Sequence, residues 1–260
     1  MPIRELSLAA GTVLDVDPAG AVDVAAETGW DAVGVWFDPA SWTSATTTAV
    51  RQRLEATGIT ALDIEPVILG RDHDPGDALV EVAGELGVKH VLVASGPAER
   101  AAVVDRFGEL CERAAPAGVM VVLEFLPIFT VGSLADAVSI VKEIGHPSAA
   151  VLVDTLHLAR SGGTPADLEH VPLRLFPYLQ LADASAQPPA TLEALREEAL
   201  HGRLLPGEGG LPLGQTLTVV PDVPVSVELR SRALMTLHPD PRERSQVVLG
   251  ATRSVVGERT

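Results

Sequence analysis

The stretch VLVDTLHLARSGG, residues Val151 to Gly163, decides how this chain is read. Val151, Leu152 and Val153 lead into Asp154. His157 follows three positions later, and the run dissolves into Arg160, Ser161, Gly162 and Gly163. A buried strand that ends on a carboxylate and opens into a glycine-rich loop is how a parallel barrel delivers a side chain to its mouth. The competing reading is a lone Asp capping the next turn. Which one holds depends on whether other strands bring matching groups to the same place.

Short apolar runs recur along the chain with helical patterns between them. Strands are expected at Leu6–Val13, Ala32–Phe37, Ile59–Ile64, His90–Ala94, Val119–Phe125, Ala149–Asp154, Tyr178–Leu181 and Val225–Leu229. Helices start near Asp17-Pro18 and stop at Gly29, Gly58, Gly87 and Gly145, following the start and stop signals of helix termini. The return segment after Asp154 is weakly marked, with one or two turns over Pro165–His170. Eight strand–helix units at about 32 residues each favour a (β/α)8 barrel, an α/β fold in which residues 1–260 form one TIM barrel domain. A doubly wound open sheet would place a GxGxxG after the first strand, and Ala9-Ala10-Gly11-Thr12 supplies none.

Composition narrows the function classes. The chain carries 35 acidic against 19 basic residues, a net charge of −16, which repels phosphate backbones and anionic lipid. Nucleic acid and membrane are therefore not expected partners. No apolar run approaches the roughly 20 residues of a membrane span, and Met1–Leu14 has no basic leader ahead of a long apolar core. A soluble, cytoplasmic protein is expected. Cys111, the single cysteine, stands at helical spacing from Phe107 and Leu110 and reads as a buried structural thiol.

In a barrel, chemistry collects where strands end. Those positions hold Glu124 in MVVLEF, Asp154 in VLVD, Gln180 in YLQLAD and Glu228 in VSVEL. Burying such charges without partners costs several kcal/mol each. No Lys or Arg lies within these strands to balance them, and a divalent metal would. The alternative is that one or two of them face the helices or bond to backbone.

These motifs resemble the sugar phosphate isomerase/epimerase superfamily, the xylose isomerase-like TIM barrels. The resemblance spans the chain through LEF with Glu124, VDTLHL with Asp154 and His157, QLADA with Gln180 and Asp183, and VSVEL with Glu228. RLLPGEGG from Arg203 is similar to the family's loop before the last strand. By that resemblance Glu124, Asp154, Gln180 and Glu228 are the metal ligands, and Glu124 and Glu228 also transfer protons. One departure is Gln180, where family members commonly carry His. An all-oxygen set favours Mn²⁺ or Mg²⁺, with Co²⁺ or Zn²⁺ able to substitute. His157 is a candidate to contact substrate or tune a ligand. Arg203, Glu65 and Trp36 are candidates for substrate binding, with an exposed arginine, a turn cap and a packing residue as the competing readings. Asp183 reads as organising its loop.

The expected function is a divalent-metal-dependent isomerase or epimerase of a small sugar, ketose or inositol derivative, acting by proton transfer through a metal-stabilised enediolate. Gln180 keeps a lyase open, a dehydratase of a 3-dehydroshikimate- or inosose-like substrate. A sugar-binding barrel without turnover is the non-catalytic alternative. The DNA-cleaving branch of the same fold resembles a three-zinc enzyme and needs several more histidines than His157. Relatives form dimers or tetramers, so a homo-oligomer stays open.

Overall fold

The computed structural model describes residues 4–71 and 73–257. Eight parallel strands close into a barrel in chain order: β1 (Leu6–Leu8), β2 (Ala32–Trp36), β3 (Thr60–Ile68), β4 (His90–Ala94), β5 (Met120–Glu124), β6 (Ala149–Asp154), β7 (Leu179–Leu181) and β8 (Val225–Val227), with β8 pairing back onto β1. Helices occupy every crossover, so the barrel expected from the pitch of the sequence is the one observed. Among the described residues, no helix is long and apolar enough to cross a membrane.

Capping chemistry sets the helix starts. Ser133 accepts from the Asp136 amide ahead of Leu134–Ile144, and Asp240 accepts from Arg242 and Glu243 ahead of Pro241–Val256. Each such cap satisfies orphan amides and is worth about 1 kcal/mol.

Two apolar layers hold the barrel. Outside, the strands' outward residues, such as Val33, Val91 and Val121, pack against helix residues such as Phe107, Leu110 and Ile140. Inside, Leu62, Leu92, Val122, Ala150, Leu152 and Tyr178 fill the lumen. Each buried aliphatic side chain contributes about 1.5–3 kcal/mol.

Several expected elements shift. The first strand ends at Leu8, not Val13, because a 3-10 turn at Ala10–Thr12 takes over. Thr12 locks that turn to β8: its hydroxyl donates to the Val227 carbonyl at 2.9 Å and accepts from the Leu229 amide at 2.8 Å. The last strand accordingly stops at Val227, leaving Glu228 one residue past it. The segment after Asp154 is no glycine loop at first. A helix runs from Thr155 to Arg160, followed by a single turn at Pro165–Leu168. The third strand reaches Ile68, with a register shift that pairs Val33 with Ala61 and Gly34 with Asp63.

Candidate metal centre and substrate cavity

The register of neighbouring strands brings the polar residues together. Asp154 pairs with Gln180, Gln180 with Ser226, and Glu124 lies beside Leu152 on the adjacent strand. Glu124, Asp154 and His157 each offer one ligand atom, and these atoms all lie within 4.8 Å of one another. All three are buried, and His157 Nε2 lies 3.8 Å from Glu124 Oε1. This triad could hold a metal ion. His157 is thus placed at ligand distance and away from solvent, although it sits one helical turn beyond the strand end. Gln180 is 1% exposed, and among the described residues neither its amide oxygen nor its nitrogen has a hydrogen-bond partner. An orphaned buried amide next to Asp154 fits an oxygen ligand, since leaving it unpaired costs about 1–3 kcal/mol.

Asp154 does cap the following helix, and its second oxygen is engaged as well. Its Oδ1 caps the Thr155–Arg160 helix, accepting from the amides of Leu156 at 2.7 Å and His157 at 3.2 Å. Its Oδ2 meets Arg203 Nη1 at 2.5 Å. The same guanidinium reaches Glu228 Oε2 at 2.8 Å and donates from Nε to the Ala199 carbonyl at 3.0 Å. This corrects the charge argument drawn from the strands alone. A cation for two of the carboxylates comes from the loop ahead of β8, which no reading restricted to strands would include.

Asp183 organises that loop. Its carboxylate accepts from the amides of Gly207, Gly209 and Leu211, each at 3.0 Å, and from Ala184 at 2.8 Å. A carboxylate saturated by four amides is a scaffold rather than a ligand, as expected of this residue.

Electrostatics follow from burial and neighbours. Burial, then Asp154 and Glu228, push Glu124 well above the usual carboxylate range. Burial also pushes Asp154 up, but Arg203, His157 and the capping bond together hold it below its ordinary value. Burial lowers His157 to about 4, opposed by Asp154 and assisted by Arg203, so the imidazole is neutral and free to ligate. Glu65 is raised by burial and by Glu228, Asp63 and Glu124, and its Oε1 has no hydrogen-bond partner among the described residues. Cys111 is buried with its thiol pushed up to about 12 by burial, the signature of an inert structural cysteine.

A cavity of about 900 Å³ opens above these groups, and Trp36, Glu65, Glu124, His157, Arg203 and Glu228 line it. The structure therefore brings the expected substrate-side residues to one space. Arg203 is already committed to Asp154 and Glu228 within it. Arg230 adds a second cation at the mouth, 5.7 Å over the Trp36 ring, and its field lowers the pKa values of Glu65 and Glu124.

One group escaped the sequence reading. Asp63 stands two residues before Glu65 on the inward side of β3, fully buried, with neither carboxylate oxygen in a closed hydrogen bond among the described residues. The Tyr178 and Ser226 hydroxyls face it closely enough to lower its pKa, yet both fall short of hydrogen-bond geometry. Gly34 makes the room: a Cβ there would lie 2.5 Å from Asp63 Oδ1. The i, i+2 pair in ALDIEP was the available signal.

The chain belongs to the family of xylose isomerase-like TIM barrels, whose pattern matches residues 22–246. Sugar isomerase- and epimerase-like enzymes make up this superfamily. Among curated relatives, a 3-dehydroshikimate dehydratase from Pseudomonas aeruginosa is 29% identical over 158 residues, covering 58% of this chain and 24% of that protein. An inosose isomerase from Halalkalibacterium halodurans is 32% identical over 127 residues, covering 46% of this chain and 43% of that protein. The chain thus spans less than half the length of either curated relative. Among solved structures, the IolI protein with a bound zinc atom superposes with a TM-score of 0.83 at 20% identity, covering 97% of this chain and 98% of that one. That likeness speaks to the fold.

Proposed function

We propose that this chain is a divalent-metal-dependent isomerase or epimerase that moves a proton at a carbon beside the carbonyl of a small keto-sugar, ketose or inositol derivative. The observation that carries this reading is the convergence of Glu124, His157 and the fully buried Asp154 within 4.8 Å of one another, beside a cavity that Glu124, His157 and Glu228 line. In this reading the three residues hold the ion, with Gln180 and Glu228 completing the set, and Mn²⁺ or Mg²⁺ suits the oxygen donors. Zn²⁺ or Co²⁺ gains from His157. A metal bound there supplies a Lewis acid that polarises the carbonyl and acidifies its neighbouring C–H.

The protein's own groups then divide the work. Glu124 on β5 and Glu228 after β8 reach the cavity from strands three steps apart round the barrel, one to remove a proton and the other to return it. Burial, with Asp154 and Glu228 nearby, raises the proton affinity of Glu124 above that of an ordinary carboxylate. Arg203 keeps Asp154 ionised and holds Glu228 in place.

A second reading is elimination of water by the same proton abstraction. The similarity to a 3-dehydroshikimate dehydratase and the Gln at position 180 favour it. One experiment separates the two. The Mn²⁺-loaded protein is incubated in D₂O with ketoses, inososes and 3-dehydroshikimate and followed by NMR and ultraviolet absorbance. Deuterium beside the carbonyl with an isomeric product supports the isomerase. Loss of water with new absorbance supports the lyase. Neither exchange nor conversion of any of these substrates, with metal demonstrably bound, overturns both.

A further inference from the structure

We propose that the cavity takes an anionic substrate, a small keto compound whose carboxylate or phosphate is gripped at the rim by Arg71, Arg196 and Arg230. The proposal deepens the reading above and rests on it for the chemistry at the cavity floor.

The three arginines come from separate parts of the chain. Arg71 follows β3, Arg196 lies in the helix Leu192–His201 after β7, and Arg230 follows β8, yet all three line the same cavity. Basic residues are scarce in this chain, at 19 against 35 acidic ones. Among the described residues, nine arginines have a carboxylate within ion-pair distance. Arg71, Arg196 and Arg230 have none among the described residues. In a protein with so large an acidic excess, three cations left without carboxylates around one opening form a local positive rim over a negative floor.

The floor does not neutralise that rim. Glu228 is held by Arg203 at 2.8 Å, and Asp154 by the same guanidinium at 2.5 Å. Arg230 acts on Glu65 and Glu124 through its field, but closes no ion pair with either. Its seat over the Trp36 ring leaves the N–H edge of the guanidinium available. A planar guanidinium binds carboxylate or phosphate through paired, charge-assisted hydrogen bonds.

The cavity walls point the same way. Ile68, Leu126, Ile128, Phe129 and Leu200 also line the cavity and make much of its wall apolar. A neutral polyol with hydroxyls all round would lose water there without matching partners. A compound with its carbonyl and hydroxyl at one end, an apolar flank and an anion at the other end meets all three zones.

Calorimetric titration of the Mn²⁺-loaded chain tests this with two matched pairs: shikimate against myo-inositol, and fructose 6-phosphate against fructose. The expected result is that at least one anion binds about tenfold tighter than its neutral counterpart. That advantage shrinks at high salt and falls about tenfold in Arg71→Gln, Arg196→Gln or Arg230→Gln at unchanged metal content. A lead for shikimate identifies a carboxylate, and a lead for the sugar phosphate identifies a phosphate. Neutral ligands binding as tightly as anions, with no effect of the arginine variants, overturns the proposal. If neutral ketoses or inososes are turned over with variant-insensitive kinetics, the enzyme reading stands and the anion proposal falls. Arginine-dependent anion binding with neither deuterium exchange nor conversion of any substrate gives the reverse.

Discussion

Arg203 and Asp154, 49 residues apart in the chain, meet at 2.5 Å inside the barrel mouth, and neither is more than 3% exposed. Glu228 shares the same guanidinium. Removing one member of a buried ion pair costs about 3–5 kcal/mol because the survivor keeps its desolvation penalty. Arg203→Gln is therefore expected to lower the melting temperature of EDTA-treated protein by roughly 10 °C. Saturating Mn²⁺ is expected to restore part of the loss, since a bound cation replaces the missing charge. Thermal unfolding with and without metal checks this; an unchanged metal-free melting temperature would refute the clamp.

Gly11 lies under Glu228, and a Cβ at that position would approach Glu228 Oε1 to 2.4 Å. The clash falls on the side chain, so it can be relieved by moving the carboxylate rather than the backbone. Gly11→Ala is expected to fold with a melting temperature within a few degrees of the wild type, while turnover falls at least about tenfold. A variant with full activity would show that the position of Glu228 is not critical.

Among the described residues, Gln180 has no hydrogen-bond partner for its side-chain oxygen or nitrogen. If it completes the ligand set, Gln180→His is expected to retain binding and shift preference toward Zn²⁺ or Co²⁺. Gln180→Leu is expected to lower divalent affinity by about tenfold or more. Metal competition measured by elemental analysis decides, and an unchanged profile in both variants would place Gln180 outside the ligand set.

Asp63 is pushed up to about 7, by burial above all and then by Glu228, with the Tyr178 and Ser226 hydroxyls pulling it down. Unfolded, it titrates near 3.8. Between these values the folded chain binds more protons than the unfolded one, so this group's contribution to stability declines as pH rises through the window. Asp63→Asn removes the titration. Relative to wild type, EDTA-treated Asp63→Asn is expected to gain up to a few kcal/mol between pH 5.5 and pH 8. Denaturant melts at the two pH values check it. A constant difference would mean that Asp63 is already ionised throughout.

The sequence by itself determined the barrel and the polar residues at the ends of its strands. Apolar runs, helix caps and glycine stops act locally, and a strand's period-two alternation shows which residues share a face. Hence β4 and β6 fall where the pattern puts them, and Glu124, Asp154, Gln180 and Glu228 could be named as strand-end groups. Only the tertiary structure decided how those groups are balanced. Arg203 enters from a loop shaped by Asp183, His157 reaches ligand distance through a helix that Asp154 itself caps, and Asp63 turns inward at a register shift opposite Gly34. Arg71, Arg196 and Arg230 meet only across the closed barrel. Ion pairs, ligand distances and a charged rim depend on separations in space between residues far apart in the chain, and no local pattern of residue types encodes them.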